Sequence, residues 1–129
     1  MSKVVTFNRT GGPEVLEVVD VEVPAPTAGE VQIRVHAIGL NRAEIMYRNG
    51  QYVIEPEFPA RLGYEASGVV QAVGENVEAF TTGDLVSVIP SFMFNEYGMY
   101  GEVVNAPVHA VVKHPENLSF EEAAASWMK

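Results

Sequence analysis

The chemistry open to this chain is narrowed first by what it lacks. It has no cysteine, so disulfides and thiolate metal sites are excluded. The three histidines, His36, His109 and His114, show no metal-site spacing: His36 falls on the polar face of a strand pattern, His109 between two strand patterns, and His114 just before Pro115. All three read as surface residues. What remains is an amide, several phenols and buried-type carboxylates. Asn41 stands where it can cap a helix, with Glu44 three residues on in a box-like arrangement. Tyr52, Tyr64 and Glu65 follow within a short stretch. An amide and a phenol are poor metal ligands but good hydrogen-bonding groups. Farther on, Phe92, Met93, Phe94, Tyr97, Met99 and Tyr100 cluster with only Glu96 charged among them. Such a run suits an adaptable apolar pocket wall or an interface, and equally plain core packing.

These groups sit on a chain of 129 residues, 47% apolar, with a formal net charge of -9. The length fits one domain with a real core. The acidity argues against a nucleic-acid or anionic-membrane surface, since phosphates are repelled, and is otherwise the mark of a solvated face. The N-terminal stretch turns polar by Asn8 and Arg9, too soon for a signal peptide or a membrane span of about 20 apolar residues. A cytoplasmic protein is expected.

The elements that position the candidates are mostly strands. Val4–Phe7 is short and apolar; Val19–Val23 alternates with Asp20 and Glu22; Val31, Ile33, Val35 and Ala37 alternate with Gln32, Arg34 and His36. A short helix follows Asn41, with Glu44 and Arg48 at i,i+4 and Gly50 as its stop. Strands are expected again at Ala66–Val73, Leu85–Ile89, Glu102–Val104 and Val108–Val112. Ser119-Phe120-Glu121-Glu122 is a capping box that opens a final helix carried through Trp127 and Met128. Because that helix meets no terminating glycine or proline, a chain cut from a longer protein is expected. Many short strands with turns near every ten residues suggest a barrel or sandwich.

Three stretches, in order, resemble one family. Pro24-Ala25-Pro26-Thr27-Ala28-Gly29-Glu30-Val31 leads to Ala37-Ile38-Gly39-Leu40-Asn41. Gly63-Tyr64-Glu65-Ala66-Ser67-Gly68-Val69-Val70 is followed by Val73-Gly74 and Gly83-Asp84-Leu85-Val86. Tyr100-Gly101-Glu102 precedes Val112, Pro115 and Leu118 to Ala124. Together they resemble the medium-chain dehydrogenases/reductases, in particular the zinc-independent quinone oxidoreductase branch of this alcohol dehydrogenase-like superfamily. The resemblance implies a mainly β fold, a GroES-like, partly open β-barrel with short helices and a truncated C-terminal helix. Residues 1–129 are then the N-terminal part of the catalytic domain. The Rossmann nucleotide-binding domain of the family is missing, and no Gly-x-Gly-x-x-Gly loop occurs between strand and helix.

In the zinc enzymes of that family a cysteine and a histidine occupy the places of Asn41 and Tyr64. Zinc is therefore not expected here. The chemistry implied is hydride transfer to a quinone or an α,β-unsaturated carbonyl from the reduced form of NADP or NAD, bound mainly by the missing domain. Asn41 and Tyr52 match the places of the branch's asparagine and tyrosine: Asn41 to touch the nicotinamide-ribose region besides capping the helix, Tyr52 to donate to the substrate carbonyl or else to pack beside Pro56 and Phe58. Tyr64, Met46 and Tyr47 are the expected pocket residues. The branch often has a tyrosine at the position of Met46, and adjacent helical positions point about 100° apart, so Tyr47 is no direct substitute. Glu65 is expected to be a structural hydrogen-bonding residue. Small-molecule binding, homo-oligomerisation, an inactive isolated chain, and an apolar patch near Ala123–Met128 complete the expectations. The alternatives are a zinc-type alcohol dehydrogenase and a non-catalytic GroES-like binding or assembly module.

Overall fold

A computed structural model describes residues Met1–Met128. Eight strands and two short α-helices form two sheets. The strands are β1 (Ser2–Phe7), β2 (Leu16–Val21), β3 (Glu30–Gly39), β4 (Ala60–Arg61), β5 (Glu65–Val73), β6 (Leu85–Val88), β7 (Val103–Pro107) and β8 (Val111–Lys113). The helices are α1 (Arg42–Arg48) and α2 (Phe120–Ala124). One sheet runs β2-β1-β4, the other β7-β3-β5-β6-β8, and every pairing is antiparallel. The sheets are stitched where Val5 N–H donates to the Tyr100 carbonyl at 3.0 Å and Glu102 N–H to the Lys3 carbonyl at 2.9 Å, but they do not close into a barrel.

The spine is β3 against β5, in register from Val31 opposite Val73 to Gly39 opposite Glu65. The expected alternation of β3 fails at Gln32, which is buried between the fully buried Val31 and Ile33, and holds from Arg34 on, where exposed Arg34 and His36 alternate with half-buried Val35 and Ala37. The pairing with β5 is irregular between Gln32 and Ile33 and between Val35 and Ala37. Gly68 makes the close approach possible, because a Cβ there would lie 2.1 Å from the Arg34 carbonyl oxygen. Val31, Ile33, Val70, Val86, Val88, Phe7, Tyr47 and Met99 form the centre of the core, each of the larger aliphatic side chains contributing about 1.5–3 kcal/mol by burial.

Five expectations change. The strand expected at Val108–Val112 begins only at Val111, residues Val108–Ala110 forming a 3-10 turn. The strand expected at Val19–Val23 begins earlier and ends at Val21, paired throughout with β1. Glu44 and Arg48 are drawn to other partners: Glu44 is buried and accepts from the Tyr100 hydroxyl, while Arg48 Nε donates to the Gly11 carbonyl at 3.0 Å. The last helix stops at Ala124. Its cap forms as expected, Glu122 N–H to Ser119 Oγ at 3.0 Å and Ser119 N–H to Glu122 Oε1 at 3.1 Å. Beyond it, however, Trp127 N–H leaves the helical ladder for Glu65, so the apolar patch shrinks to Trp127 and Met128 while Ala123 and Ala124 are buried. Finally, His114 is only half-exposed: both its ring nitrogens are buried, and its ring meets Phe120 edge-on at 5.8 Å. Burial lowers its pKa, the Val86 backbone opposing the shift.

Candidate functional site

Asn41 and Tyr64 are placed by one end of the β3–β5 spine. Gly39 and Glu65 are the final paired residues, so the chain leaving β3 and the chain entering β5 emerge side by side. Asn41 takes the N-cap of α1 in extended conformation, φ -134° and ψ 152°. Its backbone N–H donates to Glu44 Oε1 at 2.8 Å, and Gly50, at φ 75°, ends the helix region. The Asn41 amide nitrogen donates to Glu65 Oε1 at 2.9 Å. A carboxylate only accepts, which settles which way the amide points: Nδ2 toward Glu65 and Oδ1 away from it. Glu65 is fully buried, and its other oxygen accepts from Trp127 N–H at 3.0 Å.

Tyr52 and Tyr64 meet hydroxyl to hydroxyl at 3.0 Å. Tyr64 is 3% exposed; its ring stacks on Phe94 at 3.9 Å and meets Phe92 edge-on at 5.6 Å. Its hydroxyl also lies 3.8 Å from the Met93 sulfur. Burial, then the Tyr52 hydrogen bond and the nearby Glu44 charge, push the Tyr64 pKa upward, so this phenol keeps its proton near neutrality. Two arrangements follow. If Tyr64 donates to sulfur, a weak acceptor, Tyr52 donates to Tyr64. If Tyr64 donates to Tyr52, the half-buried Tyr52 has its own proton to offer an acceptor outside the pair.

The structure therefore joins Asn41 to Glu65 and Tyr52 to Tyr64. Tyr47 touches the second pair through Tyr52, with ring centroids 6.3 Å apart, and through Phe94 at 4.7 Å. It points inward, being 1% exposed. Met46, the next residue back, is 38% exposed, in company with Leu40 and Ile45, an apolar rim beside Asn41. A cleft of about 680 Å³ lies elsewhere: Tyr47 and Phe94 contribute to its wall with Phe58, Arg61 and Tyr97, whereas Asn41, Met46, Tyr52 and Tyr64 do not line it.

Sequence reasoning missed the partners that hold these groups. Glu44, read as a capping-box residue and a partner of Arg48, also accepts from the Tyr100 hydroxyl at 2.9 Å, and burial, then the Glu44 charge, raises the Tyr100 pKa. The aromatic run 92–100 supplies Phe92, Met93 and Phe94 around Tyr64, so it is core and site wall together. His36 is exposed as expected, yet its ring stacks on Phe120 at 4.2 Å. His109 is exposed, with Nε2 2.9 Å from the Ser91 carbonyl oxygen. Among the described residues no group of three or more His, Asp or Glu side chains is placed to hold a metal ion. No helix among them is long and apolar enough to cross a membrane.

The two-sheet, mainly β fold is consistent with a GroES-like domain, and comparison with known proteins agrees. The profile of the alcohol dehydrogenase GroES-like domain matches residues 27–116; the chain belongs to this family. The quinone oxidoreductase of Salmonella typhimurium is 39% identical over all 129 residues of the chain, which span 38% of that protein. The crystal structure of a quinone oxidoreductase from Pseudomonas syringae superposes with a TM-score of 0.90 at 43% identity, covering 99% of this chain and 38% of that one. The Escherichia coli quinone oxidoreductase complexed with NADPH gives 0.86 at 34% identity, covering 98% of this chain and 37% of that one. The chain thus spans somewhat more than a third of the length of these relatives.

Proposed function

We propose that this chain is the catalytic domain of an NAD(P)H-dependent oxidoreductase that reduces quinones or α,β-unsaturated carbonyls without zinc. The observation that carries the reading is the Tyr52–Tyr64 hydroxyl pair at 3.0 Å, standing where a zinc site would need a metal ligand. The donor set does not fit that metal. Tyr64 is a buried phenol held protonated, and the Asn41 nitrogen is committed to Glu65.

A nicotinamide, when bound, would supply a hydride to an electrophilic carbon, leaving negative charge on the conjugated oxygen. With Tyr64 donating to Tyr52, Tyr52 would turn its own proton to that oxygen; the neutral phenol would stabilise the charge, and solvent would protonate the enolate afterwards. Asn41, with its amide oriented by Glu65, would hold the nicotinamide-ribose region. The choice between NADPH and NADH belongs to groups outside this domain. A cytoplasmic, homo-oligomeric enzyme with a small-molecule substrate fits the reading, and the relatives named as quinone oxidoreductases support it.

Steady-state kinetics of the complete gene product test it. Tyr52→Phe is expected to lower kcat by about 10- to 100-fold with a smaller effect on the KM for NAD(P)H. Asn41→Ala is expected to raise that KM. Wild-type kcat/KM in both variants would remove the assignment.

A further inference from the structure

Glu65, Ser67 and Ser87 are buried polar residues on one face of the sheet: Glu65 and Ser67 are two apart on β5, and Ser67 pairs with Ser87 on β6. Three polar groups on a buried strand face are costly unless partnered. Each finds its partner in the same place, the segment 119–127. Ser67 Oγ donates to the Phe120 carbonyl, Ser87 Oγ accepts from the Trp127 indole N–H at 3.1 Å, and Glu65 Oε2 accepts from Trp127 N–H at 3.0 Å. His36 of β3 closes over Phe120, and Gly39 leaves so little room that a Cβ would sit 2.4 Å from the Ala124 carbonyl oxygen. The seat is thus built for this segment, and one of its members also holds Asn41.

We propose that Glu65 is a positioning residue that couples the seating of residues 119–127 to the orientation of the Asn41 amide. One carboxylate accepts from both sides, so Trp127 helps to fix its torsions, and the amide takes its direction from the carboxylate. Seating of the segment then contributes to forming the site. The functional meaning rests on Asn41 contacting the nicotinamide; the coupling itself does not, and is measured without cofactor so that the two can fail separately.

The test is the side-chain NH₂ resonances of Asn41 in the ¹⁵N-labelled chain. Trp127→Pro deletes the backbone donor to Glu65, whereas Trp127→Ala keeps it and loses only the indole. The Asn41 resonances should move further in W127P than in W127A. Those of Gln32, whose amide is held by the Pro24 carbonyl and Asn105, should stay in place. Asn41 resonances of W127P that match wild type would overturn the proposal. If W127P disturbs Gln32 as well, the reciprocal measurement decides. Coupling requires that Asn41→Ala speed hydrogen exchange at Trp127 N–H by about threefold or more; an unchanged rate would overturn it.

Discussion

Removing the two phenolic hydroxyls, singly and together, should give unequal costs, and the inequality follows from their burial. In Tyr64→Phe the ring keeps its stack on Phe94, and the hydroxyl left behind belongs to Tyr52, which is half-buried and can turn to water. The cost is one net hydrogen bond, about 0.5–1 kcal/mol. In Tyr52→Phe the stranded hydroxyl is that of Tyr64, 3% exposed, with only the Met93 sulfur at 3.8 Å. The cost rises to about 1–2 kcal/mol, since a buried donor loses its better acceptor. The double variant strands nothing, so its cost should fall short of the sum by about 1 kcal/mol. Urea unfolding followed by far-ultraviolet circular dichroism gives the three values, with an unchanged m-value showing that the folded and unfolded states keep their exposed areas. If Y64F costs more than Y52F, or the coupling is below about 0.3 kcal/mol, the two hydroxyls do not share a proton as the geometry implies.

Other expectations concern the segment that seats on β5 and β6. Gly39→Ala places a Cβ against Ala124 and 2.9 Å from the Glu65 Cβ; it should cost about 1–3 kcal/mol and shift the fluorescence of Trp127, the single tryptophan, to the red. His114 is held neutral by burial, so its folded pKa lies below its unfolded value. Its contribution to stability is complete above the unfolded pKa near 6.5 and is lost as pH falls toward the lower folded value. His114→Gln should therefore flatten the decline in unfolding free energy between about pH 7.5 and about pH 5; an unaltered slope would show that other groups cause it.

The fold was legible where local pattern and tertiary role coincide. Val31 and Ile33 alternate with Arg34 because one face of β3 meets the core, and period-2 patterning reports just that. The cap at Ser119 was legible for the same reason, its two bonds being local. The end of α2 was not. Alanines, tryptophan and methionine propagate a helix on intrinsic preference, but Trp127 N–H is claimed by Glu65, 62 residues away in sequence. His114 before Pro115 reads as a turn, and its burial comes from Phe120 packing over it. At the site, Asn41 and Tyr52 were visible as residue types, whereas the Tyr52–Tyr64 contact depends on the path of residues 53–63, which no periodicity specifies. Glu44 shows the converse error: the i,i+4 spacing to Arg48 suggested a pair, and the Tyr100 hydroxyl draws the carboxylate inward.

Metal-free hydride transfer is the central claim, and it is tested most directly by NAD(P)H oxidation in the complete gene product, purified without added metal and assayed with a panel of quinones and enones in the presence and absence of a strong chelator. Turnover that the chelator leaves unchanged is the predicted result. Activity abolished by the chelator and restored by zinc would contradict the roles given to Asn41 and Tyr64.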